Sequence, residues 1–291
     1  MKYADGSAFR RALEDRLRTE SLSSGMPLVR LRKTIAFERF LARLVAHSPG
    51  GWALKGGFHL QLRFGIVSRS TKDIDLLISK ELPEIRKILA FAGVVDLKDG
   101  FSFEVSSPGD ENRTRSNIRL KVQSLLDDRI FETFHIDVGL HDPVVDKFDW
   151  MQMSDILDFA DIPSPRIPCY PVVQQVAEKV HALSRPHVSG SVSRVKDFVD
   201  LLILARWKPI DSEKLRMALK GTFTAMDTHP IPKEVPHLPA DWRTSFRKLA
   251  KEAGLSIQDF PAGVTALHGF LDPILSGGSH GTWNPDSWKW E

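Results

Sequence analysis

Two aspartates separated by one residue begin the apolar run that ends segment 53–79, ALKGGFHLQLRFGIVSRSTKDIDLLIS. Side chains at positions i and i+2 of a β-strand share one face, so Asp73 and Asp75 would project together while Ile74 turns into the core. Neighbouring carboxylates repel unless a positive charge lies between them. A divalent cation such as Mg²⁺ supplies that charge, because it takes hard oxygen ligands. The alternative is a pair of exposed acids at the start of a strand.

Groups suited to phosphate binding precede these acids. Gly56 and Gly57 stand where a short helix is predicted to begin, and the free N–H groups of a first helical turn can bind an anion. The loop before the acids adds hydroxyl and basic side chains: Arg69, Ser70, Thr71 and Lys72. Phosphate donors, positive charge and metal-binding carboxylates therefore fall within one short segment.

A third carboxylate is predicted from a later strand. Asp137 is the acidic residue inside the mostly apolar stretch 134–140. A lone buried aspartate would be costly, so a strand lying beside 73–78 would bring three acids around one cation. The alternative places Asp137 at a strand end facing solvent.

Charged residues also recur on two predicted helices further along the chain. In helix 194–206 the apolar residues form a core stripe, and the remaining positions place charges at i,i+3 and i,i+4 spacing, namely Arg194, Lys196, Asp197 and Asp200. Lys179, on helix 172–184, could meet them. The alternative is an ion network that only solubilises a helical hairpin.

The periodicity predicts an α+β fold in which N-terminal helices precede mixed strands and helices, followed by a helical C-terminal half. Helices are predicted over 8–22, 28–47, 57–64 and 82–92, and strands over 73–78, 101–105, 118–122 and 134–140. Prolines at 163, 165, 168 and 171 indicate a linker. Further helices are predicted over 172–184, 194–206, 211–220, 242–253 and 263–275, before a Trp-rich tail that is either loose or docked. We expect domains at 1–165 and 166–291, the second completing a ligand cleft.

Composition excludes several classes. With 42% hydrophobic and 26% charged residues, the chain is neither disordered nor a membrane protein in character. Cys169 is the only cysteine, so no disulfide partner is available within the chain and a cytoplasmic location is expected. The net charge is only +3, but residues 1–50 carry ten Lys/Arg against five acids, which suits a polyanionic partner or a solvated helical face.

Three blocks resemble the nucleotidyltransferase toxins of the AbiEii and MenT type, within the DNA-polymerase-β-like superfamily. They are GGFHLQLRFG…RSTKDIDLLI, then HIDVG, then QVAEKVHAL followed by RVKDFVDL. Their order and approximate spacing agree with the family from about residue 52 to residue 205, and the resemblance implies a nucleotidyltransferase-type mixed sheet. One departure is Thr71, which stands where relatives often carry serine.

The resemblance implies transfer of a nucleotide from an NTP, with release of pyrophosphate and Mg²⁺ (or Mn²⁺) as cofactor. It implies metal ligation by Asp73, Asp75 and Asp137, and a wider catalytic set that adds Lys179, Asp197 and Asp200. The implied nucleotide-binding residues are Lys55, Gly56, Gly57, Thr71, Lys72, Arg194 and Lys196.

The resemblance also implies a toxin with a cognate antitoxin protein and an RNA acceptor, most often tRNA. Two alternatives remain open at the level of sequence. The same site could modify a protein hydroxyl, or the chain could be a non-catalytic nucleotide- or RNA-binding protein. No membrane partner is expected, since no segment is long and apolar enough to span one.

Overall fold

The computed structural model describes residues 2–65, 71–106, 117–139, 146–186, 193–278 and 280–291. Arg69, Ser70 and Leu140, named in the sequence predictions, lie outside these ranges. The described chain divides into two compact units. The first contains the residues up to Cys169, and the second contains Tyr170–Glu291 together with Asp146 and Lys147.

The first unit is a mixed sheet with helices, in agreement with the predicted α+β class. Its helices are α1 (Gly6–Ser24), α2 (Leu28–His47), α3 (Gly56–Phe64) and α4 (Leu82–Val94). Its strands are β1 (Trp52–Lys55), β2 (Ile74–Ile78), β3 (Phe101–Ser106), β4 (Asn117–Leu126), β5 (Arg129–Gly139), β6 (Asp149–Gln152) and β7 (Arg166–Cys169). The strand order is β3-β4-β5-β2-β1-β7-β6, with parallel pairing of β2 to β5 and of β1 to β7.

The long β4–β5 hairpin sets the register of the sheet. Asp127 and Asp128 connect the two strands and both have φ of +54°, as a type I′ turn requires. Burial then alternates along both strands, so one face enters the core while the other stays accessible. On the core face, the Phe134 ring meets the Phe37 ring of α2 edge-on, at 4.9 Å between centroids.

A buried ion cluster joins α2 to the turn before β3. Asp99 accepts hydrogen bonds from Arg39 Nε at 2.8 Å and from Arg43 Nη2 at 2.6 Å, and the Arg43 side chain is fully buried. Burial alone would raise the pKa of Asp99, but the hydrogen bond and charge of Arg43, with the charge of Arg39, hold it below its usual value. Two of the basic residues of segment 1–50, Arg39 and Arg43, therefore lie in the core and not at the surface.

The second unit is helical, as predicted, with a small terminal sheet. Its elements are α5 (Val172–Ser184), α6 (Ser193–Trp207), β8 (Ile210–Asp211), α7 (Ser212–Met226), α8 (Arg243–Glu252), α9 (Phe260–Leu275), β9 (Thr282–Asn284) and β10 (Lys289–Trp290). The Trp-rich tail is docked, because Trp283 is buried and its Nε1 donates to Ala205 O of α6 at 2.6 Å. Trp290 Nε1 likewise donates to Phe270 O of α9 at 2.9 Å.

The proline-rich segment differs from its prediction as a linker. It contains β7, whose Cys169 pairs with Leu54 of β1 and is fully buried. Proline normally argues against a strand because it removes a ladder donor, yet Pro168 is accommodated opposite Trp150 of the edge strand β6. Within the described residues, no helix has the length and hydropathy needed to cross a membrane.

The buried ion cluster gives a stability prediction. Asp99→Asn removes the counter-charge from two buried guanidinium groups, and we expect it to lower the free energy of unfolding by about 3–5 kcal/mol. Urea denaturation followed by circular dichroism measures the change. Asp96→Asn is the control, because Asp96 pairs with Lys98 at the exposed surface and its loss should leave the midpoint unchanged. Equal midpoints for both variants would contradict the role given to Asp99.

Candidate active site

A row of four charged residues crosses the accessible face of the central sheet at one level. The register pairs Arg119 of β4 with Asp137 of β5, Asp137 with Asp75 of β2, and Asp75 with Lys55 of β1. Residues paired in register share a face, so the row reads positive, negative, negative, positive across adjacent strands. Strand β5 therefore lies beside β2, as the prediction of a third carboxylate requires, and Asp137 lies next to Asp75.

Asp73 is the residue immediately before β2, and it lies close to this row. Arg119 Nη2 lies 3.3 Å from Asp73 Oδ2 and 2.5 Å from Asp137 Oδ2, while its Nε donates to Asp137 Oδ1 at 2.7 Å. One guanidinium thus holds Asp137 bidentately and bridges it to Asp73. The side chains remain accessible, with exposed fractions of 29% for Asp73, 18% for Asp137 and 41% for Arg119.

The carboxylates act on Arg119 as a group. The hydrogen bond to Asp137 is the main cause that raises the pKa of Arg119 above its usual value. Desolvation by burial opposes it, and the charges of Asp137, Asp73 and Asp75 raise the pKa further. His135, on the same face of β5, places Nδ1 3.4 Å from Asp73 Oδ1. The site is an acidic cluster compensated by protein cations.

Sequence reasoning did not find Arg119 or His135. Arg119 could not be found, because only the β4–β5 register places it opposite Asp137. His135 could have been found, since it stands two residues before Asp137 and the i,i+2 rule that paired Asp73 with Asp75 applies equally there.

The beginning of α3 lies against Asp75. Gly56 has φ of +67°, and a Cβ at this position would stand 2.0 Å from Asp75 Oδ2. Glycine is required here for both the backbone conformation and the close approach. Lys55, at the N-cap, makes no side-chain capping hydrogen bond, and Gly57 is buried in the first turn.

The loop before β2 is held by its own hydrogen bonds. Thr71 Oγ1 donates to the carbonyl of Asp73 at 3.1 Å, and Lys33 Nζ of α2 donates to the carbonyl of Lys72 at 3.4 Å. The Lys72 side chain is exposed. These contacts fix the backbone immediately before Asp73.

The second unit contains the other predicted cluster. Lys179 Nζ of α5 lies 2.8 Å from Asp197 Oδ1 and 2.8 Å from Asp200 Oδ2 of α6, and Arg194 Nη1 donates to Asp197 Oδ2 at 3.1 Å. Asp200 is fully buried, so its pairing with Lys179 is a condition for its charge. Lys196 is exposed and is not part of this network of described side chains.

The acidic cluster fits a hard divalent cation by its donor chemistry, since Asp73, Asp75 and Asp137 offer carboxylate oxygens from adjacent positions. Across the described ranges, however, no three His, Cys, Asp or Glu side chains are placed so that they could hold a metal ion together. The guanidinium of Arg119 lies between Asp73 and Asp137 and supplies the compensating charge. A cation and Arg119 would therefore compete for the same carboxylates.

A protein-family model identifies the family of this chain. A family model described as nucleotidyl transferase AbiEii toxin, Type IV TA system, matches residues 39–266, which is more than half of the chain. The chain belongs to this family. It is a nucleotidyltransferase of a type IV toxin–antitoxin family, and its membership implies a cognate antitoxin.

One solved structure agrees in fold. The chain is similar to MenT4, the nucleotidyltransferase toxin Rv2826c from Mycobacterium tuberculosis H37Rv, with 16% identity, a TM-score of 0.55, and coverage of 91% of this chain and 98% of that one. It also matches JHP933 from Helicobacter pylori with 15% identity, a TM-score of 0.43, and coverage of 82% and 88%. No curated protein matches the sequence.

The close approach of Gly56 to Asp75 gives a prediction for this toxin family member. Gly56→Ala should abolish nucleotide transfer and lower the thermal midpoint, because the new methyl group overlaps the Asp75 carboxylate. Gly25→Ala is the control, since Gly25 has φ of +71° with nothing within 4 Å of an added Cβ. Both variants carry the strain of a left-handed backbone, so the difference between them reports the contact with Asp75. Full transfer activity in Gly56→Ala would rule this contact out as a requirement.

Proposed function

We propose that this nucleotidyltransferase transfers a nucleotide from an NTP to tRNA, in a reaction that requires Mg²⁺ or Mn²⁺, in the cytoplasm. The observation that carries the proposal is the charged row across β4, β5, β2 and β1, beside the N-terminus of α3. Nucleotidyl transfer needs positioning of a triphosphate and stabilisation of charge, more than it needs covalent chemistry from the protein.

Each carboxylate in the row has a proposed role. Asp73 and Asp75 hold the divalent cation, and Asp137 is a third ligand or the base that accepts the proton of the acceptor hydroxyl. When bound, the cation supplies charge neutralisation at the reacting phosphate and orients it toward the acceptor. Lys55 and Lys72 contribute further positive charge to the triphosphate.

The first turn of α3 is proposed to bind phosphate oxygens through its backbone. Gly56 and Gly57 begin the helix without a side-chain cap, and free N–H groups at a helix N-terminus favour anions. The Thr71 hydroxyl donates to a backbone carbonyl, so its contribution is to shape the loop as well as to offer an oxygen to the phosphate.

The charged network of the second unit is proposed to supply counter-charge during transfer. Lys179 and Arg194 neutralise phosphate charge, while Asp197 and the buried Asp200 fix the position of the Lys179 ammonium. Lys196, exposed on the same helix, is free of that network and is a proposed contact to the nucleotide.

The support for an RNA acceptor comes from basic residues on the N-terminal helices. Fewer of these residues are available to RNA than the sequence indicates. Arg10 donates to backbone carbonyls of the β4–β5 hairpin, and Arg32 donates to Phe131 O and pairs with Glu14. Arg11 and Arg18 of α1 are exposed. Exposed cations on this helix suit phosphate contacts that give sequence-independent affinity for RNA.

The acceptor and the cation are tested together. Purified protein, Asp73→Ala and the exposed-acid control Glu104→Ala are incubated with Mg²⁺, each labelled NTP in turn, and total tRNA. We expect label on tRNA with the wild type and the control, and none with Asp73→Ala or in EDTA. Adding cell extract extends the test, because label on protein instead of tRNA would establish the alternative acceptor, a protein hydroxyl. Label on neither would contradict the proposed transfer.

Arg119 is proposed as a positioning residue that competes with the cation for Asp73 and Asp137. We expect Arg119→Gln to bind Mn²⁺ several-fold more tightly in the absence of NTP, since the carboxylates lose their protein counter-charge. Electron paramagnetic resonance of free Mn²⁺ measures the affinity without any turnover. Lys121→Gln is the matched control, because Lys121 is exposed two residues along the same strand and carries the same charge. An equal gain in both variants would reduce the effect to net charge and contradict a specific role for Arg119.

A further inference from the structure

A cavity of about 580 Å³ opens in the first unit among α1, α2, α3 and segment 152–159. Its size is within the range of small-molecule sites. None of the proposed catalytic residues lines it. The walls are apolar over much of their area, through Met26, Leu31, Leu62, Met153, Ile156 and Phe159.

The inner wall of the cavity carries a buried carboxyl group. Glu38 is only 2% exposed, and both of its hydrogen bonds go to Oε1, from Ser154 Oγ at 2.6 Å and from the Ser154 N–H at 3.3 Å. Oε2 accepts no hydrogen bond from any residue that the structure describes. This carboxylate oxygen is therefore open to a hydrogen-bond donor that enters the cavity.

The electrostatics around Glu38 favour a cation as that donor. Burial, above all, raises the pKa of Glu38 to about 7, and the nearby charge of Asp155 adds to the effect against the Ser154 hydrogen bonds and the charge of Arg39. Arg39 does not supply this donor, because its Nε pairs with Asp99 Oδ2 at 2.8 Å. A positive group in the cavity would relieve the repulsion between Glu38 and Asp155.

The accessible part of the lining is also acidic. Asp155 and Asp158 are exposed, Glu20 is partly exposed, and the basic residue among the lining side chains is Arg16. The Arg16 guanidinium lies 5.8 Å from the centroid of the Phe159 ring. The lining therefore has a buried acid at one end, an apolar wall, and exposed acids toward solvent.

We propose that this cavity binds an aliphatic diamine or polyamine, with one ammonium on Glu38 Oε2 and a second near Asp155 and Asp158. The methylene chain packs along the apolar wall, as the stem of a lysine does on apolar surface. The inner ammonium satisfies the buried carboxylate oxygen, and the outer one compensates the accessible acids. Neither interaction depends on the nucleotidyl-transfer chemistry.

Calorimetric titration of the whole protein with spermidine and with cadaverine tests the proposal. We expect saturable binding at one site, weakened about tenfold or more in Glu38→Gln, because the ammonium loses a charged acceptor. Glu104→Gln is the control, since it removes an exposed acid from β3, away from the cavity lining. Circular dichroism verifies that each variant is folded.

A second variant separates the cavity from simple acidity. Ile156→Trp narrows the cavity without changing any charge, and we expect it to weaken binding. This variant tests the cavity independently of whether Glu38→Gln folds. Equal affinity in the wild type and Ile156→Trp would show only surface attraction and overturn the proposal, as would the absence of binding to the wild type.

A single-ammonium ligand tests the second contact. Nα-acetyl-lysine amide presents the same ammonium and stem without an outer charge, so it should bind more weakly than cadaverine. Binding as tight as that of cadaverine would overturn the two-ended site and point instead to capture of a lysine side chain.

Discussion

The parallel pairing of β2 with β5 is the constraint on which the candidate active site depends. It places Asp75 beside Asp137 at one level of the sheet, although 62 residues separate them in sequence. Two carboxylates at that spacing are unstable without positive charge. The flanking strands supply it in register, from Arg119 on one side and Lys55 on the other. The strand pairing that folds the sheet therefore also balances the charges of the site.

The same electrostatic arrangement recurs in the helical unit. There, Lys179 compensates Asp197 and the fully buried Asp200, so one cation again serves two acids. At α2 the charges are reversed, because one acid, Asp99, pairs with two arginines. Each of these clusters leaves charge buried or half-buried, and such charge is tolerated only where partners are fixed by surrounding packing.

The sequence predicted most helices and the proximity of Asp73 to Asp75, because both depend on local spacing. Helices 28–47 and 172–184 coincide with α2 and α5. What local spacing could not provide was strand register, and so Arg119 was missed. Strand β7 was missed for another reason, since its proline favours a linker until the pairing with β1 is known. Likewise, the excess of arginine in segment 1–50 indicated a surface for polyanions, whereas Arg39 and Arg43 are core residues.

The docked tryptophans bear on the order in which the protein is built during translation. Trp283 closes over α6, the helix that carries Asp197 and Asp200, by donating to the carbonyl of Ala205. Residues 282–290 leave the ribosome long after α6 does. A nascent chain therefore holds this helix without its last packing partner until synthesis has passed the tail.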